Sequence, residues 1–351
     1  MTPPEVILDR FVRTRLRKEP GFSHYIGKLD IETVESPSFR SFLYLVQKTM
    51  NEELRSEGVN ASGGAQHPPF HFDYLAVDAG IRNALAVQYG EFSFIVVTLP
   101  LVESVLHLSR RLSRSPTVVE LLHLDPTTVA PDAFQGLLFG LQFSFLVSHE
   151  YTHHVHRHCA EGQGGVIGLW NEFPHYAMSG SLNSQAQELD ADGYAAYLVL
   201  AHLLDGGMRS SAPAELGRSD LQGTDGDELL LSCFFLAVLA FFCGFWHGDI
   251  DMASVYRFRH PLSPVRITYL IRVAEMWCRQ NGSVPQSWFN PTRFQELFHA
   301  AAKVIEENAR KTWDAQISFL RGTDGVQYDQ QLLERFEAVR RNGGRISTAT
   351  A

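Results

Sequence analysis

The sequence predicts an α+β protein, mainly helical, with a small sheet. Apolar residues recur at helical spacing along most of its 351 residues. By contrast, Phe92 to Thr98 (FSFIVVT) is the clearest strand, β-branched or aromatic for most of its length. Short breaks containing Gly, Pro or Asp separate the stretches, with no internal repeat and no low-complexity linker.

Taken in order, Glu5 to Arg17 sets Val6, Ile7, Phe11, Val12 and Leu16 on a helical period. Phe39 to Glu57 repeats that pattern and ends at Gly58. Gly63 to Pro69 is a loop, beside which His67 and His71 are expected to be solvated. Pro100 closes the strand, and Leu101 to Leu112 reads as a helix. Asp125-Pro126-Thr127-Thr128 is a break, after which Pro131-Asp132 suits a helix N-terminus. A Gly-rich connection, Glu161 to Gly168, follows His158. The next helix, capped by Asn183 or Ser184, runs to about Leu204 and stops at Asp205-Gly206-Gly207. Further helices are expected over 229–246, Pro264 to Arg279, Pro291 to Arg310 and Tyr328 to Arg341, then a loose tail from Asn342 to Ala351.

At 45% hydrophobic and 20% charged, the composition is that of a folded globular chain. A formal charge of −9 without a basic block argues against nucleic acid or an anionic membrane as partner. Cys159, Cys233, Cys243 and Cys278 form no CxxC pair, which suits a reducing compartment. The N-terminus lacks the apolar core of a secretory signal, so cytoplasmic residence is expected. Leu229 to Trp246 is about long enough to span a bilayer, but acidic residues flank it and no Lys/Arg cluster orients it. One crossing would also separate residues that must share one site, so a buried core helix is preferred to a membrane-embedded one.

The chemistry concentrates in Ser148-His149-Glu150-Tyr151-Thr152-His153. His149 and His153 lie one turn apart on one helical face, where two imidazoles can bind one tetrahedral zinc. Glu150 can then reach the attacking water as general base. The apolar run Ala133 to Val147 would bury this helix and make it rigid. A His-rich surface helix, with His154, His156 and His158, is the competing reading, and a third ligand downstream decides between them.

Glu188 supplies a carboxylate from a second helix, as a His₂Glu site requires. Asp192, four positions on, can accept the other N–H of a zinc-bound His. Ala191, Ala195 and Ala196 would let the two helices approach closely; an ordinary acidic surface helix is the alternative. Further on, His260-Pro261 precedes a helix beginning near Pro264. His260 can donate to the oxyanion of a tetrahedral intermediate and Arg266 can pair with a carboxylate near the metal, although His-Pro is also an ordinary structural turn.

In this order the segments resemble the HtpX-like and CAAX-prenyl-protease group of gluzincin zinc metallopeptidases, peptidase family M forty-eight. The resemblance runs through Asn83-Ala84-Leu85-Ala86 and the strand after it, His149 to His153, Arg157-His158, Glu188 to Asp192, and His260-Pro261 with Arg266-Ile267, about residues 80 to 275. It implies a gluzincin core with one zinc ion per chain on His149, His153 and Glu188, and Glu150 as base. It also implies Asp192 behind a ligand, His260 at the oxyanion and Arg266 in support. The expected organisation is an N-terminal helical extension, 1–75, a metallopeptidase domain, 76–280, and a C-terminal helical extension, 281–351. Tyr151-Thr152 replaces the small or aliphatic pair more often found in the motif. Membrane members have several spans where this chain has at most one, so a soluble variant is expected.

The expected activity is zinc-dependent endopeptidase cleavage of a protein or peptide. Phe92, Phe94, Val96 and Thr98 would bind extended substrate by β-augmentation if their strand lies at a sheet edge, though so apolar a strand suits a central place equally. One rival is a non-enzymatic interaction protein with structural zinc, its fourth ligand drawn from Cys159, His154, His156 or His158. If the helix continues, only His156 of those histidines returns to the His149/His153 face. Another rival is a latent protease opened by a regulatory partner.

Overall fold

The computed structural model describes residues 2–19, 21–61, 69–78, 80–158, 166–171, 180–244 and 252–343. His67, Cys159, Trp246, most of the connection after His158 and the tail beyond residue 343 lie outside them. The architecture is α+β, mostly helical with one small mixed sheet. Two compact units divide the chain, residues 1–104 with 150–176 and residues 105–149 with 177–351.

The first unit is built on the sheet. It contains α1 (Pro4–Thr14), β1 (Tyr25–Lys28), α2 (Pro37–Ala61), β2 (Phe70–Val77), β3 (Asn83–Tyr89), β4 (Phe92–Thr98) and β5 (Val166–Asn171). The strand order is β1-β2-β4-β3-β5, with β2 and β4 parallel and the other pairs antiparallel. Leu8, Phe11 and Val12 make the buried stripe of α1, at the i, i+3, i+4 spacing of one helical face. They pack against Leu85 and Val87 of β3 and Phe92, Phe94 and Val96 of β4.

All seven residues of β4 are buried, as a continuous apolar strand with neighbours on both sides should be. It is central, paired to β2 on one side and β3 on the other, so the edge role expected for Phe92, Phe94, Val96 and Thr98 does not hold. Three of those side chains face the α1 core, and the Thr98 hydroxyl donates to the Ile81 carbonyl at 2.6 Å while accepting from the Asn83 N–H. Residues 1–75 are likewise not an all-helical extension, because they supply β1 and most of β2. His71, expected in solvent, is a half-buried residue of β2 lying 3.4 Å from Asp73.

The second unit is helical. α3 (Leu99–Ser113), whose first residues belong to the first unit, leaves β4 directly and is followed by α4 (Pro116–Leu121) and α5 (Pro131–Val155), whose residues from Glu150 on also belong to the first unit. Then come α6 (Leu182–Leu204), α7 (Met208–Glu215), α8 (Thr224–Gly244), α9 (Ser263–Asn281), α10 (Pro291–Ala302), α11 (Glu307–Leu320) and α12 (Thr323–Gly343). Pro131 opens α5, where its missing N–H costs nothing. Ser181, rather than Asn183 or Ser184, is the N-cap of α6, and Ser184 completes a capping box with it.

Among the described residues α8 is the one helix long and apolar enough to cross a bilayer, and 94% of its apolar window is buried. Gln142 of α5 donates to the Ala237 carbonyl of α8 at 2.9 Å and accepts from the Ser109 hydroxyl, so the polar atoms between these helices are satisfied. The described part of the C-terminal segment, 281–343, is no appendage. Tyr328, Leu332 and Phe336 of α12 share one buried cluster with Ala186 and Leu189 of α6 and Val265 of α9. Full burial of a Val, Leu or Phe side chain of this kind is worth about 1.5–3 kcal/mol.

Candidate metal centre

The last two turns of α5 carry His149 and His153, each 2% exposed. The two compact units divide between His149 and Glu150, but the helix runs through without interruption. Its apolar N-terminal part buries Phe134, Leu138, Phe143, Phe145 and Leu146, which anchors the motif as the sequence led one to expect. On α6, Glu188 and Asp192 are buried one turn apart. Gly193 follows them, and a Cβ there would meet the Tyr269 hydroxyl at 2.5 Å. The absent side chain lets α9 approach α6 closely enough for Arg266 to reach Asp192.

The ring nitrogens of His149 and His153 and a carboxylate oxygen of Glu188 all lie within 4.8 Å of one another. His149 Nδ1 is 3.0 Å from Asp192 Oδ1 and its Nε2 is 3.1 Å from Glu188 Oε2. Asp192 in turn accepts both Nε and Nη2 of Arg266 at 2.7 Å, a bidentate pair. The guanidinium lies 4.3 Å over the Phe242 ring, which holds it flat. His260 Nδ1 lies 2.9 Å from Glu188 Oε2.

Acidic groups gather at the site. Glu150, Glu188 and Asp192 are buried carboxylates, with Arg266 as the buried guanidinium among them and Arg259 half-buried nearby. Burial by itself would depress the His149 pKa, but hydrogen bonds and charge from Asp192 and Glu188 overturn that and raise it to about 9. Burial pushes Asp192 up, yet the Arg266 charge and hydrogen bonds outweigh it and hold the carboxyl below its ordinary range. Burial lowers the His260 imidazole against the pull of Glu188. Two imidazoles and a carboxylate converging in a buried space are a donor set that can hold a metal ion.

The residues expected at the site from sequence thus meet: His149, His153 and Glu188 as one group, Asp192 behind His149, Arg266 behind Asp192, and His260 beside Glu188. Glu150 is buried next to the first ligand in the chain. The spare histidines differ from expectation. α5 ends at Val155 and Arg157 turns back with φ +61°, and His156 groups not with His149 and His153 but with His158 and Asp190, a second set of donors within 4.8 Å of one another. His158 Nδ1 also comes to 3.0 Å from His153 Nδ1, the counterpart of Asp192 on His149. His154 Nε2 meets the Phe94 carbonyl of β4 at 3.0 Å. A role for His158 had no spacing signal, because a left-handed Arg ends the helix where Gly or Asn would have marked it.

Compared with protein-family models, curated proteins and solved structures, the chain matches none.

Proposed function

We propose that the chain is a zinc-dependent endopeptidase with a gluzincin-type core, hydrolysing peptide bonds of a protein substrate with Glu150 as general base. The observation that carries this is the convergence of His149, His153 and Glu188 from two helices, with Glu150 adjacent. Two imidazoles with one carboxylate suit zinc, and the group numbers three among the described residues, which leaves one tetrahedral position for water or substrate. Zinc, when bound there, lowers the pKa of a water towards about 7 and polarises the scissile carbonyl.

Glu150 takes the proton of the attacking water and returns it to the leaving amine. Asp192 fixes the tautomer of His149 by accepting its Nδ1–H, and His158 does the same for His153. Arg266 keeps Asp192 ionised for that task. His260, at the edge of the Glu188 carboxylate, donates to charge developing on the carbonyl oxygen.

A Glu150→Gln variant tests the assignment. It should retain one zinc per chain by elemental analysis while losing about 10²–10⁴ in peptide hydrolysis. A comparison of new protein N-termini in cells making either form should yield cleavages present with wild type alone. Zinc retained with function unchanged would mark a structural ion, and purified wild type without stoichiometric zinc would end the proposal.

A further inference from the structure

We infer that Tyr328 and Gln185, with Gln316, are positioning residues that hold the His260 turn against Glu188. Residues 258–262 carry His260 between a short 3₁₀ segment, Met252–Arg257, and the start of α9, with no sheet or α-helical ladder of their own. Side chains supply what the ladder would. Gln185 of α6, wholly buried, donates its amide to the Val255 and Phe258 carbonyls, both at 2.8 Å. Those two bonds use both amide hydrogens, so Oε1 is the acceptor and the buried Tyr328 hydroxyl of α12 must donate to it, at 2.6 Å. The same hydroxyl faces the Leu262 N–H at 3.4 Å, and the Ser263 N–H donates to Gln316 Oε1 of α11 at 2.9 Å.

The turn is also tied from the other direction. The Gly180 N–H donates to the Arg257 carbonyl at 2.8 Å, and a Cβ on Gly180 would collide with the Phe258 carbonyl and the Arg259 backbone. His260 is therefore fixed on both sides by bonds that run to α6, α11 and α12. The kinetic consequence rests on the peptidase proposal; the positional one does not.

Tyr328→Phe keeps the ring packed against Tyr256 and Phe319 and removes the hydroxyl alone. Losing the bond to Gln185 and the longer one from Leu262 should speed amide exchange across 255–263 about five- to tenfold, with α8 amides unchanged. On a quenched fluorescent peptide spanning a cleavage site found with wild type, kcat should fall about tenfold and KM stay within about twofold, because His260 acts on the developing charge. Gln185→Met should reproduce both effects, and the double variant should add little to either. If Tyr328→Phe does not fold, Gln316→Leu, which releases only the Ser263 amide, is measured the same way. Unchanged exchange in 255–263, or a KM effect with kcat intact, overturns the inference. If wild type proves to have no peptidase activity, the exchange result alone decides the positioning claim while the proposed function fails separately.

Discussion

Two buried aspartates in the helical unit grip arginines in the same way, yet their pKa values are shifted in opposite directions. Asp192 accepts Nε and Nη2 of Arg266 at 2.7 Å each, and Asp227 accepts Nε and Nη2 of Arg209 at 2.8 and 2.6 Å. Both carboxylates are fully buried, but the Arg266 side chain is 2% exposed and the Arg209 side chain 44%. Burial raises the Asp227 pKa in spite of its partner, whereas Asp192 is held below its ordinary range. A guanidinium buried with its carboxylate acts unscreened, and one facing water does not. The first pair sits behind His149, a candidate ligand; the second joins α7 to α8.

The largest expected difference between the pairs is in stability. Arg266→Met strips Asp192 of its buried cation and should cost about 3–5 kcal/mol in urea unfolding. Arg209→Met should cost less, because the half-exposed guanidinium is screened by water. Equal losses would break the comparison. Next in size is the metal. Asp192→Asn should weaken zinc binding about 10–100-fold in a chelator competition, whereas Asp227→Asn should leave it unchanged.

The smallest effect is in pH dependence. Because the folded-state pKa of Asp227 is raised, its contribution to stability is complete below its unfolded value, about 3.9, and is lost as pH rises through the folded value. Wild type should therefore lose stability relative to Asp227→Asn as pH climbs from about 4 towards 7, in paired urea titrations. A difference that is flat with pH would mean that Arg209 balances the burial of the carboxylate after all.

Much of the candidate site was legible because it is local. His149 and His153 share a face through a four-residue spacing, as do Glu188 and Asp192, and an apolar run before the first pair announced its burial. The sheet was mostly not legible. Tyr25–Lys28 is too short to show a period, Asn83–Tyr89 begins with alanines that suit a helix, and Phe70–Val77 carries His71 and Asp73 on one face. β4 was seen at its observed bounds, but its central place depends on β2 and β3 pairing with it, which an alternation pattern does not encode. The break at Lys303 between α10 and α11 has no Gly or Pro to mark it, so one long helix was expected there.

Sequence alone determined the candidate ligand types and their spacing, the α+β composition, and the burial of the α5 and α8 apolar runs, since these depend on residues within one turn or one strand. Tertiary structure decided the partners. That Arg266 reaches Asp192 from 74 residues away, that His260 meets Glu188, and that Tyr328 bonds to Gln185 across 143 residues depends on which helices pack together. Helix packing is chosen by the shape and close approach of whole faces, as at Gly193 and Gly180, and no local pattern along the chain carries that information.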